Sequence, residues 1–289
     1  MAHGIFVGLS TIDLVYSVDE FPAPNSKVAA HDQQIFVGGP ATNAAIAFHH
    51  LGGQSTLVAA VGCHPLSSLI RNELNQYSLR WIDLAPALNE IPAISSIAVN
   101  RAGERNVISA NASRFGLPAA VVDQSALGDA SVLLVDGHCI QACTAWAKAA
   151  RARGIPVVFD GGSWKAGTEE LLKSVDFALC SADFRPPGCS IQEDVVRFLT
   201  GSGVSHIAIT NGAAPIRFVS PAAAGMLPIP PIEVVDTMGA GDIFHGAFCY
   251  SLSAQHSFQQ ALAQAATVAA HSCRFRGTRE WMNHPIHPI

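Results

Sequence analysis

The stretch VVDTMGAGDIFHGAF, residues 234–248, places a run of small residues at the point where a helix is predicted to begin. Gly239, Ala240 and Gly241 stand directly before Asp242 in this stretch. Glycine in such a position costs backbone entropy, but it leaves peptide N–H groups uncovered. Because the amino end of a helix carries unpaired N–H groups and a partial positive charge, the stretch predicts a site for an anion.

Asp242 is itself an anion at this helix end, and its role has two interpretations. Aspartate is a favoured N-cap, in which case the glycines would form only a turn. Alternatively, its carboxylate accepts a proton from a hydroxyl that attacks a phosphoryl group held by the uncovered amides. The sequence contains neither GxxxxGK[ST] nor GxGxxG, so the common phosphate-binding loops do not compete with this site.

The composition is that of a globular protein with a large core. Of the 289 residues, 49% are apolar and 13% are charged, which argues against extensive disorder. The net charge of −5 gives no support for binding to nucleic acid or to an anionic membrane, and no apolar run is long enough to span a membrane. The sequence therefore predicts a cytoplasmic protein of one or two domains.

The seven cysteines are scattered and lack C-x-x-C spacing. Cys139 and Cys143 lie one helical turn apart beside His138, so a metal site and packed, reduced thiols are both open interpretations. Packed thiols are the commoner arrangement for such residues. Reduced cysteines also agree with a cytoplasmic location.

Apolar runs of strand length alternate with helix-like stretches along most of the chain. The runs SVLLVD and PVVFD show no polar alternation, which is typical of parallel strands covered on both faces. The sequence therefore predicts an α/β fold, with helices on both faces of a mostly parallel sheet. The predicted strands are residues 4–9, 55–61, 131–135, 156–160, 177–180 and 206–210, and the predicted helices are residues 41–51, 66–76, 140–153, 169–174, 192–200, 242–254 and 258–273.

Two segments interrupt this alternation. Residues 13–37 contain two extended runs around a proline-rich turn, and residues 94–112 read as a hairpin with Ala102 and Gly103 in its turn. Polar and apolar residues alternate loosely in both segments. They predict a small antiparallel sheet beside the main sheet, which would form a lid.

A second glycine motif, GGPATNAAIAF, occupies residues 38–48. Small residues at the start of the predicted helix would let a ligand approach closely, and Asn43 offers both a donor and an acceptor. A tight turn in which Asn43 only caps the helix remains an alternative. Asp13, just past the first predicted strand, would by itself be an ordinary loop acid.

Taken together, these motifs resemble those of the ribokinase-like, or PfkB, carbohydrate kinase family. The signature D-T-x-G-A-G-D is present at residues 236–242, and the run G-G-x-x-x-N is present at residues 38–43, about 200 residues earlier. The early strand that ends near Asp13 agrees with the same pattern. The resemblance covers nearly the whole chain. It implies a three-layer α/β/α sandwich around a mostly parallel sheet, as a single ribokinase-like domain over residues 1–289, with the lid formed by 13–37 and 94–112.

The resemblance implies a role for each motif residue. Asp242 would be the base that takes the proton from the sugar hydroxyl, and the three preceding residues would form the anion hole for the γ-phosphoryl group. Asp13 and Asn43 would hold sugar hydroxyls, and Gly39 would let the sugar approach closely. Short acidic and amide side chains suit such a ligand, because each can bind adjacent hydroxyls.

The resemblance also implies sites for the nucleotide and for cations. Thr210, Asn211 and Gly212 resemble the turn that lies along the nucleotide phosphates, although Pro215 stands where a further glycine is usual. Asp236 and Met238 would face a monovalent cation, for which potassium is the candidate, and the loop RFRG at 274–277 would close that site.

A departure concerns Mg²⁺, which the resemblance implies as the cofactor that accompanies ATP. The place of the family's N-x-x-E motif reads Ser181-Ala182-Asp183-Phe184 here. Asp183 is the candidate substitute for the missing ligand. Catalysis does not depend on this position alone, because Mg²⁺ is held mainly by the nucleotide phosphates.

The signature and the tail CRFRGTR look most like the fructokinase and sulfofructose kinase branch of the family. That likeness would turn His138 toward the sugar, although an ordinary loop histidine is an equal alternative. Lys27 would reach an acidic substituent of the substrate, and a solvated lysine is the simpler interpretation. We expect Arg105, in the lid hairpin, to be exposed.

The predicted function is ATP-dependent transfer of a phosphoryl group to a hydroxymethyl group of a small sugar, either a fructose-like ketose or a pentose. A nucleoside kinase is an alternative, because Tyr16, Phe21 and Phe36 of the lid could clamp a base. A catalytically impaired sugar or nucleotide sensor of the same fold is another, suggested by the altered N-x-x-E position. A homodimer through the lid is also expected.

Overall fold

A computed structural model describes residues 2–110 and 121–286 of the chain. The end of the predicted lid hairpin, residues 111 and 112, lies outside these ranges. The described residues form a nine-stranded sheet, a separate four-stranded sheet and seven α-helices. No helix within the described ranges is both long and apolar enough to cross a membrane.

The large sheet is parallel except at one edge. Its strands follow the spatial order β13-β12-β11-β10-β9-β8-β1-β4-β5, and the antiparallel pairs are β11–β12 and β12–β13. The strands are β1 (His3–Gly8), β4 (Gln54–Ala59), β5 (Arg80–Asp83), β8 (Val132–Val135), β9 (Val157–Gly161), β10 (Phe177–Ser181), β11 (His206–Asn211), β12 (Ala214–Val219) and β13 (Ala224–Leu227).

Two hydrophobic cores cover the two faces of this sheet. Successive side chains of a strand point to opposite faces, and in β1 Phe6 belongs to one core while Ile5 and Val7 belong to the other. The three-layer α/β/α sandwich is thereby confirmed. One core includes α1 (Pro40–His50), α2 (Ser67–Gln76), α6 (Ala240–Ser253) and α7 (Phe258–Ser272), and the other includes α3 (Ile140–Ala152), α4 (Thr168–Leu172) and α5 (Gln192–Gly201).

The small sheet consists of β2 (Thr11–Ser17), β3 (Asp32–Gly38), β6 (Ile94–Val99) and β7 (Arg105–Ala110), in the order β3-β2-β6-β7. The predicted hairpin is present as β6 and β7. The pairs β2–β3 and β6–β7 are antiparallel, whereas β2 and β6 run parallel. The sequence had led us to expect an antiparallel sheet throughout. β2 follows β1 and β6 follows β5, and β1 and β5 run in the same direction. β2 and β6 therefore both start from the carboxyl ends of the large sheet's strands and run parallel to each other.

One face of the small sheet lies against the signature segment. Val15 and Ile97 pack with Met238, and Phe36 and Val99 border the same cluster. Because alternate residues share a face, Asp13 lies on this inner face together with Val15. Since β2 follows β1 directly, the small sheet stands at the carboxyl ends of the large sheet's central strands.

Candidate active site

The signature segment begins α6 with a backbone conformation that favours glycine. Gly239 is the N-cap residue, and its φ of 68° lies in the left-handed region. A Cβ atom at this position would stand 2.7 Å from Cγ2 of Thr278. Gly239 is therefore required by the turn and by the close approach of the segment that follows α7.

The first turn of α6 leaves peptide N–H groups available. The Ala240 N–H donates to the Thr237 carbonyl at 3.3 Å. Within the described parts of the chain, the N–H groups of Gly241 and Asp242 have no protein acceptor. Gly241 is exposed, and a Cβ there would have nothing within 4 Å. Open space thus lies beside two free donors at the positive end of a helix.

Asp242 does not cap α6, because no side chain caps this helix. Its Oδ2 instead accepts a 2.7 Å hydrogen bond from Nδ2 of Asn43. Burial raises the pKa of Asp242, the nearby Asp160 carboxylate raises it further, and the Asn43 hydrogen bond opposes the rise. A carboxylate with a raised pKa is a better proton acceptor than an ordinary aspartate.

Asn43 likewise does not act as a helix cap. The N-cap of α1 is Gly39, whose φ of 98° requires glycine and where a Cβ would overlap the Leu9 carbonyl. Asn43 is buried, and its Oδ1 accepts a 2.8 Å hydrogen bond from Nη1 of Arg279. The Asn43 side chain therefore connects Arg279 to Asp242.

Asp13 lies beside the same group of side chains. Its carboxylate rests against Gly38, where a Cβ would overlap it. Burial raises its pKa to about 6, against the opposing influence of a hydrogen bond with Ser95 and of the Arg279 charge. The structure thus brings together Asp13, Asn43 and Asp242, three residues from distant parts of the sequence.

Arg279 and Glu73 were not identified by the sequence analysis. They form an ion pair at 3.0 Å, with 15% and 21% of their side chains exposed. Glu73 lies on the face of α2, and Arg279 follows the loop 274–277 by two residues. No pattern along the sequence predicts that these two charges meet.

A second pair of titratable side chains, His245 and Asp160, lies beneath the start of α6. Nδ1 of His245 lies 2.6 Å from the Gly241 carbonyl oxygen and 3.4 Å from Oδ2 of Asp160. Its Nε2 lies 3.1 Å from the carbonyl oxygen of Leu179 in β10. His245 lies within the signature stretch, one helical turn after Gly241, but no motif in the sequence predicts a role for it.

His138 lies at the carboxyl end of β8 and is half-buried. The backbone N–H of His138 donates to the Asp136 carboxylate, which also accepts from the backbone amides of Leu9 and Ala41. Burial lowers the pKa of His138. Lys27, in contrast, lies exposed in the loop between β2 and β3.

Cys139 and Cys143 are free and buried. Burial raises the pKa of Cys139 to about 12, and it raises that of Cys143 strongly as well. The Cys143 thiol donates to the His138 carbonyl at 2.8 Å. Both residues are therefore protonated thiols, which are poor metal ligands. The described residues contain no group of three or more His, Cys, Asp or Glu side chains placed to hold a metal ion.

The candidate site for a monovalent cation contains Asp236. One carboxylate oxygen accepts from the Met238 amide and the other from the Gly277 amide, each at 2.9 Å. These bonds join the signature to the loop 274–277. Each oxygen keeps a lone pair, so the carboxylate can still bind a cation.

The candidate nucleotide side is more exposed. Asn211, the last residue of β11, and Gly212 after it are exposed. The carbonyl oxygen of Thr210 accepts from the Ala182 amide at 2.7 Å. The adjacent strand β10 leads to Asp183, which is exposed, and to Phe184, which is fully buried.

Phe184 packs against Phe159 and Trp164, with ring centroids 5.7 Å apart in both pairs. The position of the missing glutamate is therefore part of the core. The residues at this position fit a magnesium site poorly, since Asp183 alone offers a carboxylate there.

Arg105 is exposed, as expected, and contacts the Thr237 hydroxyl. Arg105 lies on β7 of the small sheet, and Thr237 lies in the signature. The small sheet therefore touches the signature segment through polar as well as apolar side chains.

Comparison with known proteins gives consistent matches along the chain. The model of the family described as pfkB family carbohydrate kinase matches residues 1–284. The chain is 23% identical to a ribokinase of Haemophilus influenzae, over 94% of this chain and 92% of that protein. It is 24% identical to a protein named probable fructokinase-5 of Arabidopsis thaliana, over 74% and 73% of the two chains.

Solved structures show the same fold. A ribokinase of Arabidopsis thaliana, solved with ribose and ATP, has a TM-score of 0.79 and 20% identity, covering 98% of this chain and 99% of that one. A ribokinase of Giardia lamblia has a TM-score of 0.82 and 18% identity, with coverages of 98% and 99%.

Proposed function

The chain belongs to the pfkB family of carbohydrate kinases, and we propose from this premise that it transfers the γ-phosphoryl group of ATP to a hydroxymethyl group of a small sugar, either a fructose-like ketose or a pentose. The observation that carries the proposal is the position of Asp242. Its carboxylate, which has a raised pKa, stands next to the free Gly241 amide at the start of α6.

In the proposed reaction, Asp242 accepts the proton of the sugar hydroxyl. The hydroxyl oxygen forms a bond to the γ-phosphorus, and the bond from that phosphorus to the β,γ-bridging oxygen breaks, which releases ADP. The free amides of Gly241 and Asp242 stabilise the charge that develops on the phosphoryl oxygens. Ala240 contributes less than the sequence suggested, because its N–H already donates to Thr237.

The sugar occupies the space between the small sheet and α6 in this proposal. Asp13 and Asn43 bind hydroxyls there, and Gly39 lets the sugar approach the backbone. His138 contacts the sugar from the carboxyl end of β8. Lys27 remains a candidate contact for an acidic substituent, although its loop is exposed.

The nucleotide phosphates lie along Thr210, Asn211 and Gly212 in this proposal. A magnesium ion bound with ATP would neutralise phosphate charge, and Asp183 is the one carboxylate that residues 181–184 would offer to it. The Asp236 carboxylate and the Met238 carbonyl oxygen would hold a potassium ion close to the start of α6. No step of the reaction depends on a protein ligand to Mg²⁺.

The small sheet serves as the lid of a single domain, and it excludes water so that ATP is not hydrolysed. Its outer face carries Ile35 and Ile108, with 54% and 78% of their surface exposed. We propose that this face pairs with a second copy of the chain in a homodimer. The need for ATP and the free cysteines support a cytoplasmic location.

A nucleoside acceptor is less well supported by the lid. Tyr16 alternates with Val15 along β2 and therefore points away from the inner face. Phe36 packs against Gly277, where a Cβ would stand 2.9 Å from the ring. Of the three aromatic residues considered for a base clamp, Tyr16 therefore faces away from the site, and Phe36 already packs against the loop 274–277.

The direct test is consumption of ATP by the purified protein with a panel of hexoses, pentoses and nucleosides, with and without K⁺. We expect turnover with a ketose or pentose, faster in K⁺, and none with nucleosides. Turnover with nucleosides alone would overturn the choice of acceptor. Absence of turnover with every acceptor, together with retained binding of sugar or ATP, would favour a sensor.

A further inference from the structure

We propose that Arg279 is a positioning residue for the phosphoryl transfer: it fixes the side-chain amide of Asn43 so that the Nδ2 end always faces Asp242. This inference rests on the proposed function, because it concerns the base of that reaction. Arg279 is carried by the segment after α7, and Asn43 lies at the start of α1.

The Arg279 guanidinium is held by several acceptors at once. Its Nε donates to Glu73 at 3.0 Å, its Nη1 to Oδ1 of Asn43 at 2.8 Å and its Nη2 to the Val37 carbonyl at 2.8 Å. Nη1 also donates to the Thr278 carbonyl at 3.2 Å. A planar group bonded at both edges has little freedom to rotate, so Asn43 meets a fixed donor.

The chemistry of the three groups determines which way the amide points. Arginine can only donate, and an ionised carboxylate can only accept. The carbonyl oxygen of Asn43 must therefore face Arg279, and its NH₂ must face Asp242. The reversed amide would place an oxygen against a carboxylate and an NH₂ against a guanidinium, which loses both hydrogen bonds and sets like charges together.

Glu73 holds the arginine and also reaches the lid strand. Its Oε2 accepts from the Val37 amide at 3.2 Å, while Arg279 donates to the carbonyl of the same residue. Val37 directly precedes Gly38 and Gly39, where β3 ends and α1 begins. The ion pair thus fixes both the backbone before α1 and the side chain that projects from its first turn.

The acidity of Asp242 gives this inference a distinctive signature. The groups that face Asp242 are Asp160, which raises its pKa, His245 and Asn43, which lower it, and Asp13, which raises it. Without Arg279, the Asn43 amide is free to turn, and the hydrogen bond that favours the ionised base is lost. The pKa of Asp242 then rises, and the acid limb of the kcat profile moves to higher pH.

The experiment is a double-mutant cycle on Arg279→Met and Asn43→Ala, measured on the full chain with the sugar found by the panel. We expect each single variant to lower kcat/KM about 10–100-fold near neutral pH. Arg279→Met in the Asn43→Ala background should cost clearly less than it does in the wild-type protein, because the main group through which it acts is gone. Its bond to the Val37 carbonyl and its charge beside Asp13 account for the loss that remains. Multiplicative losses would overturn the inference.

The pH profile separates positioning from a general loss of structure. Arg279→Met should regain part of its activity at alkaline pH, whereas Arg71→Met should keep the wild-type profile. Arg71 is a matched control, because it is half-buried on α2 and donates to the Gly62 carbonyl, away from the site. A uniform loss at every pH would overturn the inference.

Arg279→Lys keeps the test decisive if the methionine variant does not fold. Lysine retains the charge opposite Glu73 but cannot bond Asn43 and the Val37 carbonyl in one plane. We expect the same shift of the acid limb, smaller in size, and an unchanged limb would contradict the proposal. If the wild-type protein phosphorylates no sugar, the proposed function fails instead, and the cycle does not apply.

Discussion

The two halves of the candidate site differ in how firmly the protein holds them. On the side where the sugar is proposed to bind, Asp13, Asn43 and Asp242 are half-buried or buried. Hydrogen bonds join Asp242 through Asn43 to Arg279, whose charge also acts on Asp13. On the side where the nucleotide is proposed to bind, Asp183, Asn211 and Gly212 are exposed.

This difference indicates that the site is preorganised for the sugar more than for the nucleotide. The hydroxyls of a sugar are neutral, so the side chains that recognise them must be oriented in advance. The phosphates carry their own charge and bring Mg²⁺ with them, so exposed amides and a helix end are sufficient. The departure from the family motif at Phe184 lies on the nucleotide side, where fewer fixed protein groups are needed.

The largest expected effect comes from removing the base on the sugar side. Asp242→Asn should lower kcat by about 10²–10⁴-fold, because the amide cannot accept the proton, while leaving the binding of sugar and ATP intact. Rapid-mix kinetics and calorimetric titration would measure the two properties separately. A variant that keeps more than a tenth of normal turnover would refute the assignment.

The next effect tests whether Asp13 binds the sugar as a carboxylate. Asp13→Asn should raise the KM for the sugar about 10–100-fold, since a hydrogen bond to a charged group is lost. In the wild-type protein, this KM should rise as the pH falls through about 6, where Asp13 takes up a proton. The asparagine variant should lose that dependence, and a KM that still varies with pH would contradict the role.

Although Asp13→Asn should weaken sugar binding, it should make the folded protein more stable. Burial raises the pKa of Asp13 from its ordinary value of 3.8 to about 6 in the folded protein, so the folded state binds the proton more tightly than the unfolded state does. Its stabilising contribution is therefore lost as the pH rises from about 4 to about 6. Asp13→Asn should raise the free energy of unfolding by about 1–3 kcal/mol at pH 7, measured by urea denaturation.

Two glycines of the signature sharpen the comparison further. Gly241→Ala should raise the thermal midpoint, because alanine favours helix and the added methyl meets nothing, yet it should lower kcat/KM for ATP about tenfold by occupying the phosphoryl space. Gly239→Ala should instead destabilise the fold by about 1–2 kcal/mol, since its φ is positive. Equal behaviour of the two variants would contradict the open space beside Gly241.

The smallest effect is expected on the nucleotide side. Asp183→Asn should change kcat less than about tenfold and should raise the concentration of Mg²⁺ needed for half-maximal activity, because the side chain is exposed and the phosphates hold most of the ion. Titration of activity with Mg²⁺ would measure this. A loss as large as that of Asp242→Asn would show that the two sides do not differ.

The sequence was sufficient for the fold where strands are buried. The runs that became β1, β8 and β9 are continuously apolar, and their type was predicted correctly. The strand β5 was missed because its four residues begin with an exposed arginine and are only partly buried. The strand β12 was missed because it contains Pro215 and Arg217, and the edge strand β13 was missed because it has only four residues, none of them buried.

The candidate site could be predicted only where a motif is local. Gly239, Asn43 and Asp242 belong to short patterns that chemistry explains. Arg279 and Glu73 are 206 residues apart, and each looks like a solvated charge in its own segment. Their meeting depends on how α2 and the end of the chain approach each other in three dimensions, which no local pattern encodes.

The hydrogen bonds at the centre of the sugar side join points that are very far apart along the chain. Asn43 reaches Asp242 across 199 residues and Arg279 across 236. Contacts of such long range form late in folding, because the intervening loop must close first. On the ribosome, the early strands can pair while the sugar side does not yet exist. A nascent chain that ends between Leu227 and Asp242 would therefore have the strands of the large sheet but neither the base nor the arginine that orients Asn43.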